Sequence, residues 1–130
     1  MPDRIAHAQE RRVITALILD LIAISNALNA EDGMMHVDLY VIGCAVLMGQ
    51  LENRPMNARK ISHYVGAPRS TVIRKLQQLM ESGVVVKAEG NTFRIDPDWL
   101  NRSMPRSKLD RLKRRILRSA VELNKLSKVG

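Results

Sequence analysis

Aromatic residues are scarce: one Phe, one Trp and two Tyr, 3% of 130 residues. A core must therefore be assembled from Leu, Ile, Val, Met and Ala, a palette that favours helices over a large sheet. There is one cysteine, Cys44, so no internal disulfide can form and a reducing cytoplasm is the natural setting. Cys44 stands among Val41, Ile42, Ala45, Val46 and Leu47, and reads as a small buried hydrophobe. Long apolar runs are missing as well. The most apolar stretch, Val13 to Ala30, is broken by Asp20, Ser25, Asn26 and Asn29, which argues against a membrane span. No secretory leader is expected, because Asp3, Arg4, Glu10, Arg11 and Arg12 precede that stretch.

Catalytic groupings are also wanting. His7, His36 and His63 have no close Cys or carboxylate partners at metal-ligand spacing, and the nearness of His36 to Asp38 is better used in a loop contact. No glycine-rich phosphate loop is present. Ser62 and His63 are neighbours, and helix neighbours point apart, so they do not form a nucleophile-base pair. The expectation is a protein that is not an enzyme and carries no metal and no cofactor.

Positive charge is what the chain does have, and it is segregated. The total is +8, made of −4 over residues 1–53, +6 over 54–94, −2 over 95–100 and +8 over 101–130. Such concentration on two segments is the electrostatic footprint of a nucleic-acid binder. The first basic segment also carries a pattern. Ile61, Tyr64 and Val65 recur at helical spacing and stop at Gly66; a second series starts at Pro68, runs through Val72, Leu76 and Leu79 and stops at Gly83, a helix over 68–82. Two short helices joined by a glycine turn form a helix-turn-helix, whose second helix enters the major groove. Asn57 suits the N-cap of the first, Gly66 its left-handed C-terminal position, and Pro68 the start of the second. Val84 to Lys87, then Ala88 to Asn91, then Thr92 to Ile95 read as strand, turn and strand. A hairpin directly after a recognition helix is a wing.

These residues resemble the DNA-binding domain of bacterial winged-helix regulators. Gly66-Ala67-Pro68-Arg69-Ser70-Thr71-Val72 resembles the start of the recognition helix in IclR-type regulators. The layout, with helices on both sides of the winged helix, resembles the MarR family. The IclR-type layout continues into a large effector domain, where this sequence has only its basic last thirty residues, so a small-molecule response by that route is not expected. The expected fold class is mainly α with a small β-hairpin wing, a winged helix-turn-helix core flanked by long dimerisation helices. Residues 1–36 form an N-terminal dimerisation helix and loop, 37–100 the DNA-binding domain, and 101–130 a basic C-terminal dimerisation helix.

The candidate readers are Arg69, Ser70, Thr71, Arg74 and Lys75 on the second helix. Arg69 or Arg74 suits a guanine edge, and Ser70 and Thr71 suit phosphate or local capping. Asn57, Arg59 and Lys60 would touch backbone from the first helix; Lys87, Asn91 and Arg94 on the wing, residues 84–95, suit phosphate or minor-groove contact.

The flanks read as helices. A first runs from about Arg4 to Leu28, with Val13, Ala16, Leu17, Leu21, Ile24, Ala27 and Leu28 on one face, followed by a loop over Asn29 to Gly33. A second runs from an N-cap at Asp38 to about Asn53, where Gly43 and Gly49 permit close packing. Asp96-Pro97-Asp98 marks a turn, after which Trp99 and Leu100 tuck onto the core. The last helix, Pro105 to Lys125, carries Leu109, Leu112, Ile116, Ser119, Leu123 and Leu126 at heptad spacing on an otherwise basic surface. Leu17, Leu21, Ile24, Leu109, Leu112, Ile116 and Leu123 are the candidate dimerisation residues.

The partner expected is double-stranded DNA, read by a homodimer in a bacterial cytoplasm. Two other readings stay open. One is a protein-interaction adaptor, which needs an apolar patch on the second helix. The other is a sensor of a small-molecule effector, with Met34, Met35, Met48, Tyr40 and Trp99 as lining candidates.

Overall fold

A computed structural model describes residues 4–26 and 36–129. The loop expected over Asn29 to Gly33, the helix end at Ala27 and Leu28, and Met34 and Met35 lie outside the described residues. The described residues form six α-helices and one two-stranded antiparallel hairpin. They gather into two compact units: one within Gly33–Ser103, the other within Met1–Asp32 and Met104–Gly130. None of the helices is long and apolar enough to cross a membrane.

The first unit is a winged helix. Its order is α2 (Val37–Leu51), α3 (Ala58–Val65), α4 (Arg69–Glu81), β1 (Val85–Ala88), β2 (Thr92–Ile95) and α5 (Pro97–Ser103). Its core takes Ile42, Ala45 and Val46 from α2, Ala58 and Ile61 from α3, Val72, Leu76 and Leu79 from α4, and Val84, Val85, Phe93 and Ile95 from the hairpin. These are the helical and alternating apolar positions of the sequence, brought to one centre. Trp99 and Leu100 pack against that core, as their position after the wing implied. The hairpin pairs Val85 with Ile95 and Lys87 with Phe93. Gln50 pins β2 to α2: its Oε1 accepts the Ile95 N–H at 2.7 Å and its amide donates back to the Ile95 carbonyl at 3.4 Å. The Phe93 N–H donates to the Met56 carbonyl at 3.1 Å, so the chain before α3 flanks β2 on its outer edge.

Several expectations need correction here. Asp38 is not an N-cap; His36 holds that position without a side-chain bond, and Asp38 lies within the first turn of α2. Cys44 is exposed, not buried. Neighbouring side chains still desolvate it enough to push its thiol up, against a lowering hydrogen bond with Tyr40. Its exposure follows from α2 being apolar all round: Val37, Val41, Met48 and Leu51 stay outside while the opposite face fills the core. Gly43 meets nothing within 4 Å, whereas at Gly49 an added Cβ would stand 2.8 Å from the Arg54 carbonyl oxygen, so only Gly49 marks a close approach. Tyr64, expected on the inner face of α3, is 60% exposed. The turn expected at Asp96-Pro97-Asp98 opens a helix, α5, with Asp96 Oδ2 accepting the Trp99 N–H at 3.3 Å. An Asp before a Pro is a helix start signal.

The second unit is a helix pair, α1 (Ala8–Asn26) and α6 (Arg106–Val129). α1 begins at Ala8 and not Arg4, since His7 takes a positive φ of 53° that a helix does not admit. α6 extends past the expected end at Lys125. Arg12 reaches Glu122 at 4.0 Å and Asp20 reaches Arg115 at 2.7 Å; position rises on one helix as it falls on the other, so the pair is antiparallel. Val13 and Ser119 are buried in the seam, and Leu17, Leu21, Ile24, Leu112 and Leu123 are half-buried. Leu109 and Ile116 are exposed on the flank. A single neighbour covers a stripe of Lys108, Leu112, Arg115, Ser119, Glu122 and Leu126 instead, which keeps the alternating three- and four-residue steps of the expected seam but turns its phase away from Leu109 and Ile116.

Candidate nucleic-acid interface

The turn between α3 and α4 is built by short-range bonds. Asn57 Oδ1 accepts the Lys60 N–H at 2.9 Å and starts α3. Gly66 stops it at φ 71° and ψ 32°, a left-handed conformation that disfavours side chains. Ser62 then fixes the exit: its hydroxyl donates to the Ala67 carbonyl, while its own carbonyl accepts the Gly66 N–H at 2.9 Å. Sequence reasoning weighed Ser62 only as a nucleophile and missed this role. A serine four residues before a C-terminal glycine was the available signal.

Pro68 enters α4 with φ −58° and ψ 144° and offers no side-chain cap. The first-turn N–H groups of α4 are therefore left without an intrahelical or capping partner, which suits an anion. Neither Ser70 nor Thr71 takes up the capping role. Arg69, Ser70 and Arg74 face outward, and Thr71 lies half-buried beside them. Lys75 is set apart: its ammonium lies 2.8 Å from Asp38 Oδ2, and its side chain is only 17% exposed. That hydrogen bond holds the Asp38 carboxyl below the usual carboxylate range. Two further residues complete the outward face. Ile73, 46% exposed, and Gln77 stand between the arginine positions at steps of three and four from Arg69, Ser70 and Arg74. Sequence reasoning sought charge and passed over them; the helical wheel alone would have found them.

The other candidates flank this face. Arg59 and Lys60 are exposed on α3, while the side chain of Asn57 is spent on its cap. On the wing, Gly90 and Asn91 take φ values of 66° and 58°, the pair of left-handed positions that a tight hairpin needs. Thr92 Oγ1 donates to the Glu89 carbonyl at 2.6 Å and closes the tip. Lys87, Asn91 and Arg94 are exposed, and Lys87 and Arg94 line one cleft with Pro55 and Thr92. Glu89 stands in the same cleft and opposes an anion there. Among the described residues, Arg59, Lys60, Arg69, Arg74, Lys87 and Arg94 make no ion pair, in contrast to Lys75. The arrangement offers phosphate ligands on three elements and base-edge donors on one. Among the described residues no group of three or more His, Cys, Asp or Glu is placed to hold a metal ion.

Comparison with known proteins agrees with this geometry. Residues 37–99 match the family described as sugar-specific transcriptional regulator TrmB. The matched segment starts with α2 and ends at Trp99, and so coincides with the winged helix. Neither the curated proteins nor the solved structures gave a match.

Proposed function

We propose that the chain is a transcriptional regulator that binds double-stranded DNA as a homodimer in a bacterial cytoplasm. The observation that carries this reading is the outward face of α4, where Arg69, Ser70, Ile73, Arg74 and Gln77 surround a helix start without a side-chain cap. It lies within the segment that matches a regulator family. It is regulation, and not sugar recognition, that a match limited to the winged helix supports. α4 enters the major groove. Arg74 or Arg69 bonds guanine O6 and N7, Gln77 suits an adenine edge, and Ile73 suits a thymine methyl. Ser70 and Thr71 bond phosphate with the α4 N–H groups. Lys87, Asn91 and Arg94 bring the wing to the backbone or minor groove, and Arg59 and Lys60 hold the backbone from α3. Lys75 supports α4 through Asp38 and contributes field more than contact.

The homodimer draws its support from the helix pair. Ile14, Ile18, Leu109, Ile116, Leu117 and Val121 are exposed on α1 and α6. A second copy packed on Leu109 and Ile116 beside Leu17, Leu21, Ile24, Leu112 and Leu123 gives a four-helix dimer, the MarR-like layout with two readers related by a two-fold axis. The IclR-like start of α4 concerns the reader alone.

The adaptor reading finds one apolar residue on the outer face of α4, Ile73, set among Arg, Ser and Gln, and no patch. Titration of labelled duplex DNA across a salt series tests the proposal. Affinity falls linearly on a log-log plot as salt rises. Arg69→Glu and Arg74→Glu each weaken binding by at least about tenfold, or ~1.4 kcal/mol, and Arg4→Glu leaves it unchanged. Absence of binding at low salt, or equal loss with Arg4→Glu, overturns the proposal.

A further inference from the structure

The α1–α6 pair has two unlike flanks. At about 100° per residue, Ile14 and Ile18 of α1 and Leu109 and Ile116 of α6 fall on one side of the seam. Arg111, Arg114, Arg115 and Arg118 fall on the other, at steps of three, four and seven along α6. Facing them from α1 are Asp20, Ala23 and Ile24, and together these residues enclose a cleft of about 640 Å³. The dimer proposed above uses the apolar flank and leaves this one open.

The cleft holds four guanidinium groups and one carboxylate. Asp20 is already committed: its Oδ2 accepts Arg115 Nε at 2.7 Å. Arg115 donates a second bond to Ser119 Oγ, and its side chain is 10% exposed. It is thus a fixed wall of the cleft. Arg111, Arg114 and Arg118 make no ion pair among the described residues. Three unneutralised cations beside a fixed fourth repel one another, and a low-dielectric wall focuses their field. Lys108 senses that environment: burial lowers its ammonium, and Arg111 lowers it further. An anion with several oxygens relieves the repulsion, and the guanidinium fork matches phosphate oxygens two at a time. The Ala23 and Ile24 side of the cleft is apolar and accommodates a short carbon skeleton. The volume falls within the range of small-molecule sites.

The geometry points to this cleft as a binding site for a small organic phosphate, a phosphomonoester held by Arg111, Arg114 and Arg118 on a platform set by Arg115. The site stands on the helix pair and holds whether or not the winged helix reads DNA. The test titrates the full chain with glycerol 3-phosphate and with inorganic phosphate, against chloride and glycerol at matched ionic strength, by calorimetry and thermal melting. Saturable binding at one site per chain is expected, with a melting temperature that rises with phosphate concentration. The Arg114→Gln/Arg118→Gln variant, its fold checked by an unchanged circular dichroism spectrum, binds at least tenfold more weakly. The Arg111→Gln variant gives the same loss by an independent route. Arg69→Gln/Arg74→Gln, which alters only the winged helix, keeps phosphate binding. An equal response to chloride, persistence of binding in both cleft variants, or its loss in Arg69→Gln/Arg74→Gln would overturn the proposal. So would a silent phosphate titration in which Arg114→Gln/Arg118→Gln reduces only the salt slope of duplex binding, since the row is then a DNA-backbone surface.

Discussion

The winged helix and the helix pair use the same aliphatic palette and finish differently. From α2 to the hairpin, twelve residues converge into one buried cluster that layers three helices and a sheet. Among the described residues, the α1–α6 pair buries one apolar side chain, Val13, along with Ser25, Asn26 and Ser119, and leaves Ile18 and Leu117 more than half exposed. Two helices in contact can each cover only one stripe of the other. A single chain therefore completes the reader and leaves the pair half-built. On the proposed reading, the unit closed on itself is the DNA-reading head, and the apolar flank of the other is where a second copy packs.

Substitutions can break each side of that contrast separately. The largest effect is expected at Leu76, 1% exposed at the centre of the reader. Leu76→Ala should cost ~2–5 kcal/mol, seen as a lowered urea midpoint. Next comes Gly49→Ala, which drives a Cβ to within 2.8 Å of the Arg54 carbonyl. Backbone cannot yield as a side chain end does, and about 1–3 kcal/mol of overpacking cost is expected in the same melt. The helix pair is tested through Ile116→Glu/Leu117→Glu, at 45% and 65% exposure. Sedimentation equilibrium should show dimer dissociation strengthened by about tenfold or more, near 1.4 kcal/mol, with the urea transition of the reader unmoved. A dimer that survives the change would erase the contrast. The smallest effect concerns Asp38 and Lys75. The folded carboxyl is held below its ordinary 3.8, so the stabilisation is complete above that value and is lost as pH falls through the folded pKa. Lys75→Met should lower stability slightly at neutral pH, as loss of a surface pair does, and flatten the acid side of the profile, so that the two proteins converge below the folded pKa.

Legibility in the sequence divided by distance along the chain and not between the two units. α3, its Asn57 cap, the Gly66 stop and the wing were readable because each depends on residues within a few positions. The outward placement of Arg69, Ser70 and Arg74 was readable from helical spacing. Lys75 was not, because its partner Asp38 comes from another helix, and no local rule places an ammonium against a distant carboxylate. Gln50 was invisible for the same reason, since it serves a strand forty-five positions later. Cys44 was misjudged because an all-apolar helix gives no phase to say which face turns inward. The arginine cleft needed the antiparallel pairing of α1 with α6 before Asp20 and Ile24 could be set against Arg111 and Arg118.

The central claim is that two closed heads are joined through the unfinished pair and read DNA together. Selection of duplexes from a random pool by the intact chain tests this most directly. The account predicts enrichment of two inverted copies of one half-site, with centres about 10–10.5 base pairs apart or a multiple of that. The Ile116→Glu/Leu117→Glu protein should enrich a single copy. An unenriched pool, or a lone half-site recovered by a chain that sediments as a dimer, would contradict it.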